Sequence, residues 1–145
     1  SEFTRALALG EGLLVYDAAT WRPYCHLQDF SELIRRVLEA PVERVAFEVF
    51  NAGGDANNFT KQMIVNSILE FIPDSEVQYQ EQGQDPRNYR VDFSKVREAL
   101  YFEPAYTVRD GIWELLKAMG QGFFKDISLL GSFHGNWNPA FGRNK

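Results

Sequence analysis

The apolar positions of this chain fall into short runs separated by turn-forming residues, and the spacing within each run predicts an element. LLVY, residues 13 to 16, reads as a strand, and PYCHL as a second one opened by Pro23, since proline suits the first residue of a strand. Asp29 is the expected cap of a helix in which Phe30, Leu33, Ile34, Val37 and Leu38 share one stripe, and Pro41 stops it. RVAFEVF, residues 44 to 50, alternates, with Val45, Phe47 and Val49 on one side and Glu48 on the other, which predicts a strand with one solvated face. NAGGDANNF is rich in turn-formers. Thr60 after it caps a helix that buries Ile64, Val65, Ile68, Leu69 and Ile72 and ends before Pro73.

Further along, EVQYQ is a short strand and EQGQDPRNYR a polar loop with two arginines. Residues 92 to 101 form a short helix with Phe93, Val96 and Leu100 inward, and YFEPAY is a turn. Thr107 and Asp110 have capping-box spacing, with Asp in the usual Glu position, ahead of a helix that turns Val108, Ile112, Leu115, Leu116 and Met119 inward. The periodicity dissolves after Gly120; Gly131, Gly135, Pro139, Gly142 and several rings read as a loop that needs a partner surface. The expected fold is a small mixed α/β domain of about four helices and a few short strands, over 1–120, with an irregular tail over 121–145.

Composition narrows the function classes. A chain of 145 residues, 45% hydrophobic and 24% charged, fits one domain with a real core. The net charge of -5 speaks against a nucleic-acid partner, because phosphate binding needs a basic surface to displace counterions. One cysteine excludes an internal disulfide and suits a reducing compartment, and no apolar run approaches a membrane span, so a cytoplasmic protein is expected.

Four groups of residues are candidates for chemistry. Cys25 and His26 are neighbours, but adjacent strand residues point to opposite faces, so a thiolate–imidazole couple is disfavoured; the other histidine is His134 in the tail. Gly53 and Gly54 lie between a strand and a helix, where a phosphate cradle would sit, yet they match neither nucleotide-binding glycine motif, and a tight turn is the preferred reading. Asp85 and Asp92 flank the polar loop in solvated or capping roles. Arg22 sits among rings, and Arg87 and Arg90 share a loop with Tyr89. An arginine fork accepts two phosphate oxygens at once and a ring can hold it in place, although surface ion pairs are the commoner use.

Taken in order, WRPYCHLQDFSELIRRVLEAP, EVFNAGG and DPRNYRVDFSKVREALYFEPAYTVRDGIWEL resemble the C-terminal, substrate-binding half of the extended short-chain dehydrogenases/reductases, which include the NAD(P)-dependent nucleotide-sugar epimerases and dehydratases. Arg22, Tyr24, His26 and Asp29 match the first motif and Phe50, Asn51 and Gly53 the second. Asp85, Arg87, Tyr89, Asp92, Ser94, Lys95, Leu100, Phe102, Pro104, Gly111 and Glu114 match the third, and the shared order runs along about residues 3 to 117. Leu27 departs from the usual Val, and Tyr101 stands where the pattern has Gly, which predicts that the helix before it forgoes a left-handed glycine ending.

The resemblance implies a division of labour. The family's N-terminal Rossmann domain carries a glycine fingerprint for NAD or NADP, and its chemistry uses a Tyr-x-x-x-Lys pair. This sequence has no such fingerprint, and none of its six tyrosines has lysine four residues on. The implied role is substrate binding, with no catalytic residue, no metal and no cofactor held by this chain. By the same resemblance, Arg22 and Arg87 take the diphosphate of a nucleoside diphosphate sugar, Tyr24 and Tyr89 lie near it, and Asp29 and Asn51 are structural. The expectation is an inactive substrate-binding portion that needs a Rossmann partner; the alternative is a standalone nucleotide- or protein-binding module that self-associates as a homodimer.

Overall fold

In the computed structural model, which describes residues 2–83 and 87–123, helices surround two small two-stranded sheets. The helices are α1 (Glu2–Ala8), α2 (Leu27–Glu39), α3 (Val42–Val45), α4 (Lys61–Leu69), α5 (Ser94–Leu100) and α6 (Val108–Gly120), with a 3-10 turn at Asp55–Asn57. The strands are β1 (Leu13–Tyr16), β2 (Trp21–Pro23), β3 (Asn58–Thr60) and β4 (Val77–Gln80). β1 pairs in parallel with β4, Leu13 opposite Val77, while β2 pairs antiparallel with β3, Trp21 opposite Thr60 and Pro23 opposite Asn58. The mixed α/β class is as expected; the short α1 and the one-turn α3 add to the four helices that periodicity singles out.

Two apolar bodies form the core. Leu33 of α2 packs with Phe93, Val96, Leu100 and Phe102 around α5. Leu7, Ile64, Ile68 and Ile112 join α1, α4 and α6, and Val15, Ala18 and Val65 extend this second body beneath β1. The seam between them is polar. Asn57 donates to the Tyr106 carbonyl (3.1 Å), and Asn58 both donates to the Val91 carbonyl (3.0 Å) and accepts the Val91 N–H (3.0 Å).

Caps start the helices. Thr60 accepts the Met63 N–H at 3.1 Å, and the Thr107–Asp110 capping box is complete in both directions. Its hydrogen bonds from Thr107 hold the Asp110 carboxyl below the ordinary Asp range. Asp92 accepts the Ser94 N–H at 2.7 Å, so its role is to start α5, and the hydroxyl and amide of Ser94 likewise hold its pKa down.

Four expectations need correction. His26 caps α2, its Nδ1 accepting the Gln28 N–H at 3.2 Å; Asp29 lies one turn in, 3% exposed, and its two oxygens accept the backbone N–H groups of Ala105 (2.8 Å) and Tyr106 (3.1 Å). The PYCHL strand gives way to the shorter β2, which Pro23 ends; Tyr24 adds one more bond, to the Asn57 carbonyl at 2.9 Å, and Cys25 and His26 lie beyond the ladder. No strand forms over 44–50: α3 takes Val45, and the chain turns at Phe47, whose φ is 61°. Alternation makes a strand only where a neighbouring edge offers a ladder, and no described strand pairs with this stretch. Finally, α5 does end left-handed, with Tyr101 itself at φ 51° and ψ 35°. Arg36 supports that ending by donating to the carbonyls of Leu100 (3.4 Å) and Tyr101.

The double glycine is explained by close approach. A Cβ on Gly53, whose φ is 143°, would come within 2.9 Å of the Phe93 ring, and one on Gly54 within 2.7 Å of the Pro104 ring. Packing rather than phosphate therefore demands glycine here.

Candidate functional site: an arginine and aromatic cluster beside a cleft

β2 presents Trp21, Arg22 and Pro23 in alternation, so Arg22 points away from its two neighbours. The loop at 87–91 runs beside it. Trp21 N–H donates to Asn88 Oδ1 at 2.9 Å, Tyr89 N–H approaches the Trp21 carbonyl at 3.5 Å, and Val91 is fixed by Asn58 at the end of the run. This zipper sets the guanidinium of Arg22 over the Tyr89 ring at 5.7 Å and that of Arg90 over the Trp21 ring at 4.6 Å. Arg22 Nη1 also donates to the Trp21 carbonyl at 2.8 Å, which limits its rotamers. Arg87 opens the same loop and is exposed. Arg22 and Tyr89, which are 67 residues apart in sequence, are thus in contact, with Arg90 and Trp21 alongside.

Tyr24 faces a different feature, an open cleft of about 650 Å³ between β2, the start of α2 and α6. Its ring meets Phe59 edge-on at 6.5 Å, and burial raises the pKa of its phenol while Arg22 pulls it partly back, so the group is a neutral hydrogen-bond donor. Across the cleft, His26 stacks on Tyr106 at 4.5 Å and 17°, with Nε2 at 3.2 Å from Glu114 Oε2. Because Nδ1 accepts a backbone proton, the ring proton resides on Nε2 and is donated to Glu114. His26 thereby joins α2 to α6. Burial, and secondarily Asp29, push the Cys25 thiol up, and its Sγ donates to the His26 carbonyl at 3.6 Å; it is a protonated packing residue, not a nucleophile.

The chemistry available to such a site is recognition. Guanidinium groups with rings beside them hold an anion of fixed geometry next to a flat group. Among the described residues no cluster of three or more His, Cys, Asp and Glu is placed to hold a metal, and no helix is long and apolar enough to cross a membrane. Asp85, His134 and the tail beyond 123 lie outside the described residues. Three partners escaped sequence reasoning: Trp21, Asn88 and Asn58. Their contacts span 67 and 33 residues, and nothing local in NNF or RNY announces them.

The chain is extended short-chain dehydrogenase/reductase-like in fold and sequence. It is 30% identical over 115 residues to UDP-glucuronic acid decarboxylase 6 of Arabidopsis thaliana, a match covering 77% of this chain and 32% of that protein. In fold it matches dTDP-glucose 4,6-dehydratase of Bacillus anthracis, solved with NAD (TM-score 0.65, 24% identity, 83% of this chain and 38% of that one). It also matches UDP-glucose 4-epimerase of Thermotoga maritima, solved with UDP-glucose (TM-score 0.71, 22% identity, 84% and 39%). The chain thus spans about a third of the curated relative's length and about two fifths of each of these solved chains. No family model matches it.

Proposed function

We propose that this chain is the substrate-binding part of an NAD(P)-dependent nucleotide-sugar epimerase or dehydratase, an isomerase or lyase of the cytoplasm, with residues 1–120 as the binding unit and 121–145 as an appended tail. Arg22 and Arg87 take the diphosphate, Tyr89 holds Arg22 in position, and Tyr24 offers its phenol to the ligand from the cleft side. The observation that supports this reading is the zipper of loop 87–91 along β2, which sets Arg22 over the Tyr89 ring and Arg90 over the Trp21 ring. The relatives support the ligand class: one is solved with UDP-glucose and another acts, by name, on UDP-glucuronic acid.

NAD or NADP belongs, in this proposal, to a Rossmann domain that these residues do not include, since no glycine fingerprint and no Tyr-x-x-x-Lys occurs among them. The chain by itself then binds but does not turn over, and binds weakly, because a cleft without its other wall is poorly preorganised. Calorimetric titration with UDP-glucose should show millimolar to high-micromolar binding that Arg22→Ala weakens at least tenfold, with the circular dichroism spectrum unchanged. Equal affinity in the variant would refute the clamp, and turnover of UDP-glucose with NAD by the 145-residue chain would refute the division of labour.

A further inference from the structure

Between β1 and β2 lies a carboxylate that neither a motif nor a helix cap explains. Asp17 follows β1 with φ 50°, a left-handed backbone that a short polar side chain tolerates better than most. Packing holds the turn it opens. Thr20 N–H donates to the Asp17 carbonyl at 3.0 Å, Ala18 is buried against Val15 and Val65, and the Ala18 carbonyl accepts the Gln62 N–H of α4 at 2.9 Å. The parallel β1–β4 ladder stops where this turn begins, Tyr16 opposite Gln80, and Asp17 N–H adds one bond to the Gln80 carbonyl at 3.0 Å. Beyond that point the side chain replaces the strand as acceptor. Asp17 Oδ1 takes the N–H groups of Gln82 at 2.8 Å and Gly83 at 3.2 Å, across 65 and 66 residues. The chain then swings away at Gly83, whose φ of 129° only glycine adopts readily.

We propose that Asp17 is a positioning residue of the arginine cluster, setting loop 87–91 against β2. Both arginine-bearing segments leave from it. Trp21 and Arg22 come four and five residues after Asp17, and Arg87 comes four residues after Gly83, at most about 14 Å from that pinned amide. At the far end of the loop, Asn58 holds Val91 by two bonds of 3.0 Å. A loop fixed at both ends has few conformations left to lose when Trp21 bonds to Asn88 and Tyr89; release at Gly83 lengthens the free span and raises that cost. Both bonds to the carboxylate are charge-assisted, which suits a tether rather than a passing contact. What the arginines hold rests on the ligand proposal; where they sit does not.

Amide hydrogen exchange followed by NMR, together with UDP-glucose titration, separates the two. Asp17→Gly removes the carboxylate and leaves the left-handed backbone unstrained, while Asp17→Asn keeps an acceptor oxygen and tolerates the same φ. In the glycine variant the N–H groups of Trp21 and Tyr89 should exchange at least fivefold faster, with that of the buried Ile68 at the parent rate. In the asparagine variant all three should stay within about twofold of the parent. UDP-glucose affinity should fall at least threefold in Asp17→Gly, and no further when the change is made on an Arg87→Ala background, because Asp17 acts through that loop. Parent-like exchange at Trp21 and Tyr89 in the glycine variant, or an affinity loss that persists in full on the Arg87→Ala background, would overturn the role. A parent chain that binds no UDP-glucose would sink the ligand reading instead, and the exchange rates would still decide for or against Asp17.

Discussion

Asp29 shows how a residue's type can be read correctly while its task is missed. An acidic residue ahead of an apolar helical run looks like a cap, but His26 provides that cap and Asp29 reaches across 76 and 77 residues to the N–H groups of Ala105 and Tyr106. The carboxylate is buried, so these are charge-assisted bonds in a poorly screened place. Asp29→Ala should therefore destabilise the fold by about 3 kcal/mol, since two charge-assisted bonds from a buried carboxylate are lost. Asp29→Asn keeps one acceptor oxygen and turns an NH2 toward the other donor, and should recover little of that. A capping residue lost from a solvent-facing turn costs about 1 kcal/mol, so the urea midpoints of the two variants separate the roles. No sequence pattern could have announced this bond, because its acceptor and donors meet only after α5 and the turn that follows it have been laid down.

At the scale of elements, those whose signals are local came through and those that depend on a neighbour did not. α4 and α6 carry their caps, stripes and stops within about a dozen residues, and both form where Thr60 and Thr107 say they should. The 44–50 alternation has all the local marks of a strand and lacks only a partner among the described strands. α5 lies between these cases. Its left-handed end is imposed by the path from Leu100 to the buried Phe102, and it persists although Tyr101 pays the steric penalty that glycine would avoid. Tyr101 is largely exposed and, among the described residues, its only ring contact is a distant one, Arg44 at 6.0 Å, so the side chain gives little back. Tyr101→Gly should raise stability by about 1 kcal/mol, or roughly 4 °C in Tm. Tyr101→Ala, which keeps the strain, should raise neither, and thermal denaturation of the pair isolates the backbone effect from the loss of the ring.

Across the whole molecule, the polar seam ties the candidate site to the core. The arginine and aromatic cluster is built on two segments, β2 and loop 87–91, that share no apolar cluster of their own; what aligns them is Asn58 on β3, paired to β2 through Pro23 and bonded to Val91 through both its amide groups. Sequence could propose Arg22, Arg87 and Tyr89 by composition and resemblance, because charge and rings are visible residue by residue. It could not show the asparagine that holds them together, since an amide in a turn-rich stretch looks the same whether it faces water or is 6% exposed. Asn58→Ala removes the acceptor for the Val91 N–H and the donor to the carbonyls of Val91 and Asp55, and should cost about 2 kcal/mol. If Asn58 positions the site, the same change should weaken UDP-glucose binding by about tenfold under conditions where the variant is still fully folded, although the side chain touches no ligand. Asn58→Asp keeps the bond from the Val91 N–H but turns a buried carboxylate oxygen toward the carbonyls of Val91 and Asp55, so it should cost at least as much as alanine in both readouts. Affinity that stays at the parent value while stability drops would show that Asn58 serves the core alone and that loop 87–91 finds β2 through Asn88 and Trp21.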